Sequence, residues 1–108
     1  MAHYLIEAAY TAEAWKSLLK KPVDRDKAVR PVIKKLGGSL VNSWFAFGDH
    51  DIVLLAEFPD NVSAASFALA AMAGGALRSI KTTPLLELPE GREAMKRAAK
   101  SGYRPPGK

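Results

Sequence analysis

The architecture of this chain follows from the stretch Leu40-Val-Asn-Ser-Trp-Phe-Ala-Phe-Gly-Asp-His-Asp-Ile-Val-Leu-Leu-Ala-Glu-Phe58. Two apolar runs flank a polar turn, Gly48-Asp-His-Asp51, and glycine and aspartate supply the backbone conformations that join antiparallel strands. The second run, from Ile52 to Phe58, is apolar at nearly every position, whereas a strand with one wet face would alternate. We therefore predict a β-hairpin at the centre of a sheet, with its tip at His50 and with both faces covered.

Composition indicates a single soluble globular domain. The chain has 108 residues, of which 48% are hydrophobic and 25% are charged, and it contains no cysteine. These values are ordinary for one domain, and the lack of cysteine excludes disulfides, thiolate metal sites and cysteine nucleophiles. No segment resembles a signal peptide, and no apolar run approaches the length of a membrane span. We therefore expect a cytoplasmic protein with no membrane partner.

The net charge of +5 is concentrated in the last residues of the chain. A basic tail can contact nucleic acid, but no platform of alternating aromatic and basic residues accompanies this one. Nucleic acid is therefore not the expected partner, and the tail should be a solvated end. We divide the chain into a ferredoxin-like domain, residues 1–88, and a C-terminal helix with a basic tail, residues 89–108. The segment 92–108 contains one acidic residue, Glu93, and six basic residues: Arg92, Lys96, Arg97, Lys100, Arg104 and Lys108.

The order of the predicted elements indicates a ferredoxin-like fold. Thr11 and Asp60 are suited to cap helices, Pro31 should kink or break the second helix, and Pro84 confines the last strand to a sheet edge or ends it. The resulting order is β-α-β-β-α-β plus a final helix, which is an α+β fold with a four-stranded antiparallel sheet and its helices on one face. Outside the hairpin, we predict strands at 3–10 and 76–86 and helices at 11–21, 24–36, 60–73 and 90–100.

Helices on one face leave the other face of such a sheet bare. The even positions of the first strand are apolar from Tyr4 to Tyr10, whereas its odd positions mix His3, Leu5 and Glu7. An exposed face that includes apolar residues of this kind indicates a partner. The simplest partner is a second copy related by a two-fold axis. We therefore expect a homodimer through the bare sheet face.

Three groups of residues are candidates for chemistry. His50 lies between Asp49 and Asp51, an arrangement that could serve a general base, although aspartates in a turn more often bond the backbone. Glu57 should lie near the first strand, and charges within a sheet require either an ion pair or a ligand. Packing is the expected role of Trp44, with stacking on a ligand as the alternative. The candidate ligand-binding residues are His3, Glu7, Trp44, His50, Asp51, Glu57 and Arg78.

The sequence assigns no catalytic residue, although His50, His3 or Glu7 could move protons in an enzyme, and it predicts no metal site and no cofactor. The glycine pairs Gly37-Gly38 and Gly74-Gly75 follow helices, whereas a phosphate-binding loop precedes one. No serine lies in a nucleophile elbow. One histidine with two aspartates lacks the spacing of a metal motif. A nucleotide-hydrolysing or serine-hydrolase role is therefore not expected.

The chain also resembles a known family, from about Tyr4 to Leu86. The matching pieces are Tyr4 with Thr11, Pro22 followed by Arg25, Leu36-Gly37-Gly38, Gly48-Asp-His-Asp51, Pro59-Asp60 and Leu77-Arg78-Ser79. They are similar to the GYD domain family, whose characteristic turn is Gly-x-Tyr-Asp. This sequence has His50 in the position of the tyrosine, and Ala14 in the position of a glycine that usually follows the first strand. The resemblance implies a dimeric α+β barrel of ferredoxin-like subunits, and it implies no particular activity.

Three functions remain open from the sequence. In the first, which we favour, the protein is a homodimeric module that binds a small, partly apolar molecule between the sheet and the helices, with its polar groups drawn from the mixed face. In the second, it is a cofactor-independent oxygenase or isomerase in which histidine and glutamate move protons. In the third, it is a regulatory or structural dimer whose basic tail meets another macromolecule.

Overall fold

The computed structural model describes residues 1–107, so Lys108, the last residue of the predicted tail, lies outside the described part of the chain. The chain begins with one strand and two helices, continues with a hairpin, a helix and an edge strand, and ends with a helix. This order confirms the predicted one. In sequence the elements are β1 (Ala2–Tyr10), α1 (Ala12–Lys20), α2 (Arg25–Lys35), β2 (Ser39–Phe45), β3 (Ile52–Phe58), α3 (Asn61–Ala73), β4 (Leu77–Leu85) and α4 (Leu88–Ala99).

All four strands form one open antiparallel sheet in the order β2-β3-β1-β4. The architecture is α+β and ferredoxin-like, as predicted, and β4 with its Pro84 is an edge strand. The prediction that the whole hairpin lies at the centre is wrong, because β2 lies at the other edge. A four-stranded sheet has only two inner positions. Since β1 pairs with both β3 and β4, it takes one of them and leaves room for a single hairpin strand.

The core lies between the sheet and α1, α2 and α3. Alternate residues of β1 and β3 point to this side and are buried, among them Ile6, Leu54 and Phe58. Ile33 of α2 and Phe67 of α3 close the core from the helix side. The intervening residues of β3 are only half-buried, which shows that the second face of this strand is not covered within the described chain. The strict alternation follows from the two-residue period of a strand.

Local sequence signals account for the ends of the elements. The Thr11 hydroxyl accepts a hydrogen bond from the Ala14 amide, and a carboxylate oxygen of Asp60 accepts one from the Ser63 amide, so both predicted caps are confirmed. Gly38 follows α2 where a Cβ would overlap the carbonyl oxygen of Glu57, so only glycine fits. The helix α2 is not divided at Pro31, which lies within it.

The final helix, α4, stands apart from the rest of the domain. Its apolar residues Leu88 and Met95 are 85% and 72% exposed, and none of its residues is buried. Together with the tail it contributes to an elongated shape, 57 Å along the longest axis. A capping box formed by Glu87 and Glu90 nevertheless fixes where the helix begins.

Candidate functional site

The open face of the sheet carries a histidine held between two carboxylates. Nε2 of His3, on β1, lies 3.2 Å from Oε1 of Glu57, which is directly opposite on β3. Nδ1 of the same ring lies 3.3 Å from Oε1 of Glu87, which precedes α4. Each ring nitrogen of His3 therefore faces one carboxylate oxygen. The start of β1, the end of β3 and the start of α4 are thereby tied together.

A second histidine–carboxylate pair lies further along the same face. Nδ1 of His50 lies 3.7 Å from Oε2 of Glu7, and both side chains are about three-quarters buried. Lys81 is opposite Glu7 on β4. Trp44 lies opposite Val53 on the edge strand β2 and is half-exposed. The structure thus places His3, Glu7, His50, Glu57 and Trp44 on one face, where their predicted role in binding a ligand remains a prediction.

The other two predicted site residues lie elsewhere. Arg78 is exposed, at the irregularity in register where β4 passes the end of β1. Asp51 follows the hairpin tip and reaches the helix side of the sheet. Its Oδ2 accepts hydrogen bonds from the backbone N–H of Tyr10 at 2.8 Å and from the indole N–H of Trp15 at 3.2 Å. Asp51 therefore ties the hairpin to the end of β1 and to α1, as expected for an aspartate in a turn.

The helix side of the sheet carries an apolar cavity of about 290 Å³ between β1, β3, β4, α2 and α3, which is open to solvent on one side. Its walls are small or aliphatic side chains apart from Phe67, Tyr10 and Arg25. The cavity exists because Ala70 and Ala71 of α3 and Gly74 just after it are too small to fill the space. Ligand sites in proteins are typically mostly apolar cavities with a few polar groups.

Arg25 and Tyr10 are the polar groups of this cavity. Burial raises the pKa of the Tyr10 hydroxyl above its ordinary value; a hydrogen bond and the positive charge of Arg25 lower it, while the negative charge of Asp51 raises it. The net shift is upward, so the hydroxyl is protonated at neutral pH. Arg25 also lines two grooves that open on the outside of the domain, one of about 830 Å³ beside Trp15 and Phe45 and one of about 290 Å³ beside Trp44. The guanidinium thus lies where the cavity meets the surface.

Sequence reasoning identified neither Tyr10 nor Arg25 as site residues. Tyr10 was assigned to the apolar side of the first strand, which is correct, but nothing in a strand pattern distinguishes a tyrosine that packs from one that lines a cavity. A usable signal was the run of small residues near the end of α3, together with the arginine that begins α2. Four of the cavity residues are alanine or glycine on α3 and just after it: Ala70, Ala71, Gly74 and Ala76.

Two features are absent from the described part of the chain. Within residues 1–107, no group of three or more histidine, aspartate or glutamate side chains is arranged to hold a metal ion. In the same range no helix has both the length and the apolar character needed to cross a membrane.

Comparison with known proteins defines the fold and the family. The crystal structure of MtbAldR superimposes with a TM-score of 0.57 at 15% identity, over 80% of this chain and 52% of that one, so this chain spans about half the length of MtbAldR. The structure of FFRP-DM1 gives 0.50 at 13% identity, over 80% of this chain and 100% of that one. At these identities the likeness extends to the fold alone. No curated protein matches the sequence. The sequence profile of the GYD domain matches residues 4–99, nearly the whole chain, and the protein belongs to the GYD domain family.

Proposed function

We propose that the protein is a homodimeric module that binds a small molecule in the cavity between its sheet and helices. The supporting observation is the cavity itself, with about 290 Å³ of largely apolar space and a charged group at its mouth. The cavity opens to solvent beside Val32 and Ala70, whereas its inner wall is formed by core side chains such as Ile6 and Leu54. Larger side chains on α3 would fill it easily, so its retention supports a role in binding.

Two apolar surfaces that the described residues leave uncovered support the proposal of a dimer. On the open face, Leu5, Val53 and Leu55 form a half-buried apolar strip across β1 and β3, flanked by the two histidine–carboxylate pairs. The helix α4 carries an apolar side, with Leu88 and Met95, that contacts no core. A second copy packed on the open face would cover the strip and give α4 a surface to lie on. A stable interface of this kind buries about 1,600 Å² in total.

A cavity-filling variant tests the binding function. Phenylalanine at position 71 should occupy the cavity, so Ala71→Phe should abolish ligand-induced stabilisation without lowering the melting temperature of the free protein much. Ala73→Phe is the matched control, because Ala73 is on the same helix but is exposed and lines no cavity. Suitable probes are phenylacetate, phenylacetamide and phenethylamine, which share one apolar body and differ in the charge of the head group.

The expected signal is large enough to measure by thermal unfolding. A ligand at about ten times its Kd adds about 1.4 kcal/mol of stability, which raises the melting temperature of a domain of this size by about 6 °C. The proposal requires that at least one probe gives such a shift in the parent and in Ala73→Phe, but not in Ala71→Phe. Binding that survives in Ala71→Phe would place the ligand elsewhere and contradict the proposal.

A further inference from the structure

We infer that the cavity accepts a ligand with a single carboxylate on a compact apolar body, and that Arg25 and Tyr10 bind the carboxylate. This inference rests on the proposed function and specifies the chemical class of its ligand. It follows from the charge state of each group, from the partners that each already has, and from the size of the space behind them.

Arg25 supplies the positive charge. It is the first residue of α2 and is half-buried, yet it forms none of the ion pairs found within residues 1–107. The two carboxylates next to it in the sequence pair with other basic side chains. Oδ2 of Asp24 lies 3.9 Å from Nζ of Lys27, and Oδ2 of Asp26 lies 3.8 Å from Nη2 of Arg30. A guanidinium is charged at every physiological pH and presents paired N–H donors that match a carboxylate. Burying part of it without a carboxylate is unfavourable, and a bound anion would remove that cost.

Tyr10 supplies a second donor. Arg25 lines the same cavity and its positive charge acts on the Tyr10 hydroxyl, whose hydrogen can be donated to a bound acceptor. The comparison with Tyr4, on the same side of β1, is informative: the Tyr4 hydroxyl donates to Oδ1 of Asn61 at 2.7 Å. No acceptor for the Tyr10 hydroxyl occurs among the hydrogen bonds of the described residues. One carboxylate could therefore receive hydrogen bonds from both Arg25 and Tyr10.

Asp51 is the acidic group that would oppose an anion here, since its charge acts on Tyr10. Its Oδ2 already accepts from the Tyr10 amide and the Trp15 indole, on the α1 side of the sheet. These two donors stabilise its negative charge locally, so Arg25 is not required to neutralise it. Among the described residues, no acidic side chain lines the cavity, Asp51 included.

The space behind Arg25 limits the apolar body of the ligand. A volume of about 290 Å³ equals the share of about ten water molecules in liquid water. It is at the lower end of the range for ligand sites in proteins. A single aromatic ring or a short branched chain fits this space, whereas a long acyl chain does not. Because the lining residues are apolar apart from Tyr10 and Arg25, the body needs no hydrogen-bonding group of its own.

Titration calorimetry with the three probes tests the inference on the full chain. We expect the parent protein to bind phenylacetate at least tenfold more tightly than phenylacetamide, and phenethylamine more weakly still. Arg25→Gln should remove the preference of phenylacetate over the amide, and Arg25→Lys should keep part of it because the charge remains without the paired geometry. Tyr10→Phe should weaken phenylacetate several-fold. Lys34→Gln, an exposed change on the same helix, is the control and should leave all three affinities unchanged.

The outcomes separate this inference from the proposed function. If the amide or the amine binds as tightly as phenylacetate, and Ala71→Phe blocks that binding, the cavity is a ligand site but the assignment of a carboxylate is wrong. The same conclusion follows if Arg25→Gln folds and retains the full preference. If no probe binds to the parent protein, the proposed function fails and the inference fails with it.

Discussion

Replacing Asp51 with alanine should lower the free energy of unfolding by about 3 kcal/mol. The carboxylate oxygen Oδ2 accepts one hydrogen bond from the Tyr10 amide at 2.8 Å and one from the Trp15 indole at 3.2 Å. A hydrogen bond to a charged group contributes about 1.5–3 kcal/mol. Tyr10 is 5% exposed, so its amide would lose its partner inside the core, and we assign about 2 kcal/mol to it. Trp15 is only half-buried, so its indole can turn to water, and its share is about 1 kcal/mol.

Urea unfolding at a fixed protein concentration measures this loss. Asp49→Ala is the control, because Asp49 is exposed in the same turn and surface changes usually stay within about 0.5 kcal/mol. Asp51→Asn should lie between the control and Asp51→Ala, since it keeps an acceptor oxygen and loses the charge. A double-mutant cycle with Trp15→Phe should give a coupling of about 1 kcal/mol. A loss below about 0.5 kcal/mol for Asp51→Ala, or an absent coupling, would refute the role assigned to this carboxylate.

The remaining predictions concern the assembly, the tail and the open face. Sedimentation at micromolar concentration should show a homodimer, and Leu55→Lys, in the apolar strip, should dissociate or unfold it; a monomer of 11.7 kDa for the parent chain would contradict the assembly. Deleting residues 102–108 should leave the melting temperature nearly unchanged, because residues 102–107 are exposed, including Tyr103 at 77%; a drop of several degrees would show that the tail packs on the domain or on a partner. Glu7→Gln should weaken the contact with His50 and leave phenylacetate binding intact if the ligand lies on the helix side, whereas reduced binding would support a site on the open face.

The fold could be predicted from the sequence because its signals are local and agree with one another. Thr11 and Asp60 cap helices through hydrogen bonds that span only three residues. The alternation along β1 assigned Tyr4, Ile6, Ala8 and Tyr10 to one face without knowledge of the partner strands. The position of β2 at an edge could not be obtained this way. Strand order depends on which strands pair, and the apolar content of a single strand does not determine its neighbours.

The candidate site could be predicted only in part, because a cavity arises where side chains are too small to fill the space between the helices and the sheet. His3 and Glu57 pair as ionisable residues within a sheet should, and the sequence pointed to both. The space beside Tyr10 depends instead on the mutual positions of α2, α3 and the sheet. Alanines on α3 are compatible with a close approach to the sheet as well as with a gap, and the sequence does not distinguish these outcomes. Arg25 was visible as a residue of the family resemblance, but its lack of an ion pair among the described residues is a property of the folded chain.

The Gly48-Asp-His-Asp51 turn, which corresponds to the characteristic turn of the family, places side chains on both faces of the sheet. Asp51 reaches the helix side, where it bonds the end of β1 and α1, and its backbone amide donates to the Ala8 carbonyl at 2.8 Å. His50, one residue earlier, reaches the open face and pairs with Glu7. The aspartate thus accepts hydrogen bonds from a fixed set of donors, whereas the ring at position 50 makes only a looser contact, 3.7 Å, with the carboxylate of Glu7. A tyrosine, like a histidine, is an aromatic side chain with a polar group that can face this carboxylate, so histidine at position 50 is compatible with the Gly-x-Tyr-Asp turn of the GYD domain family.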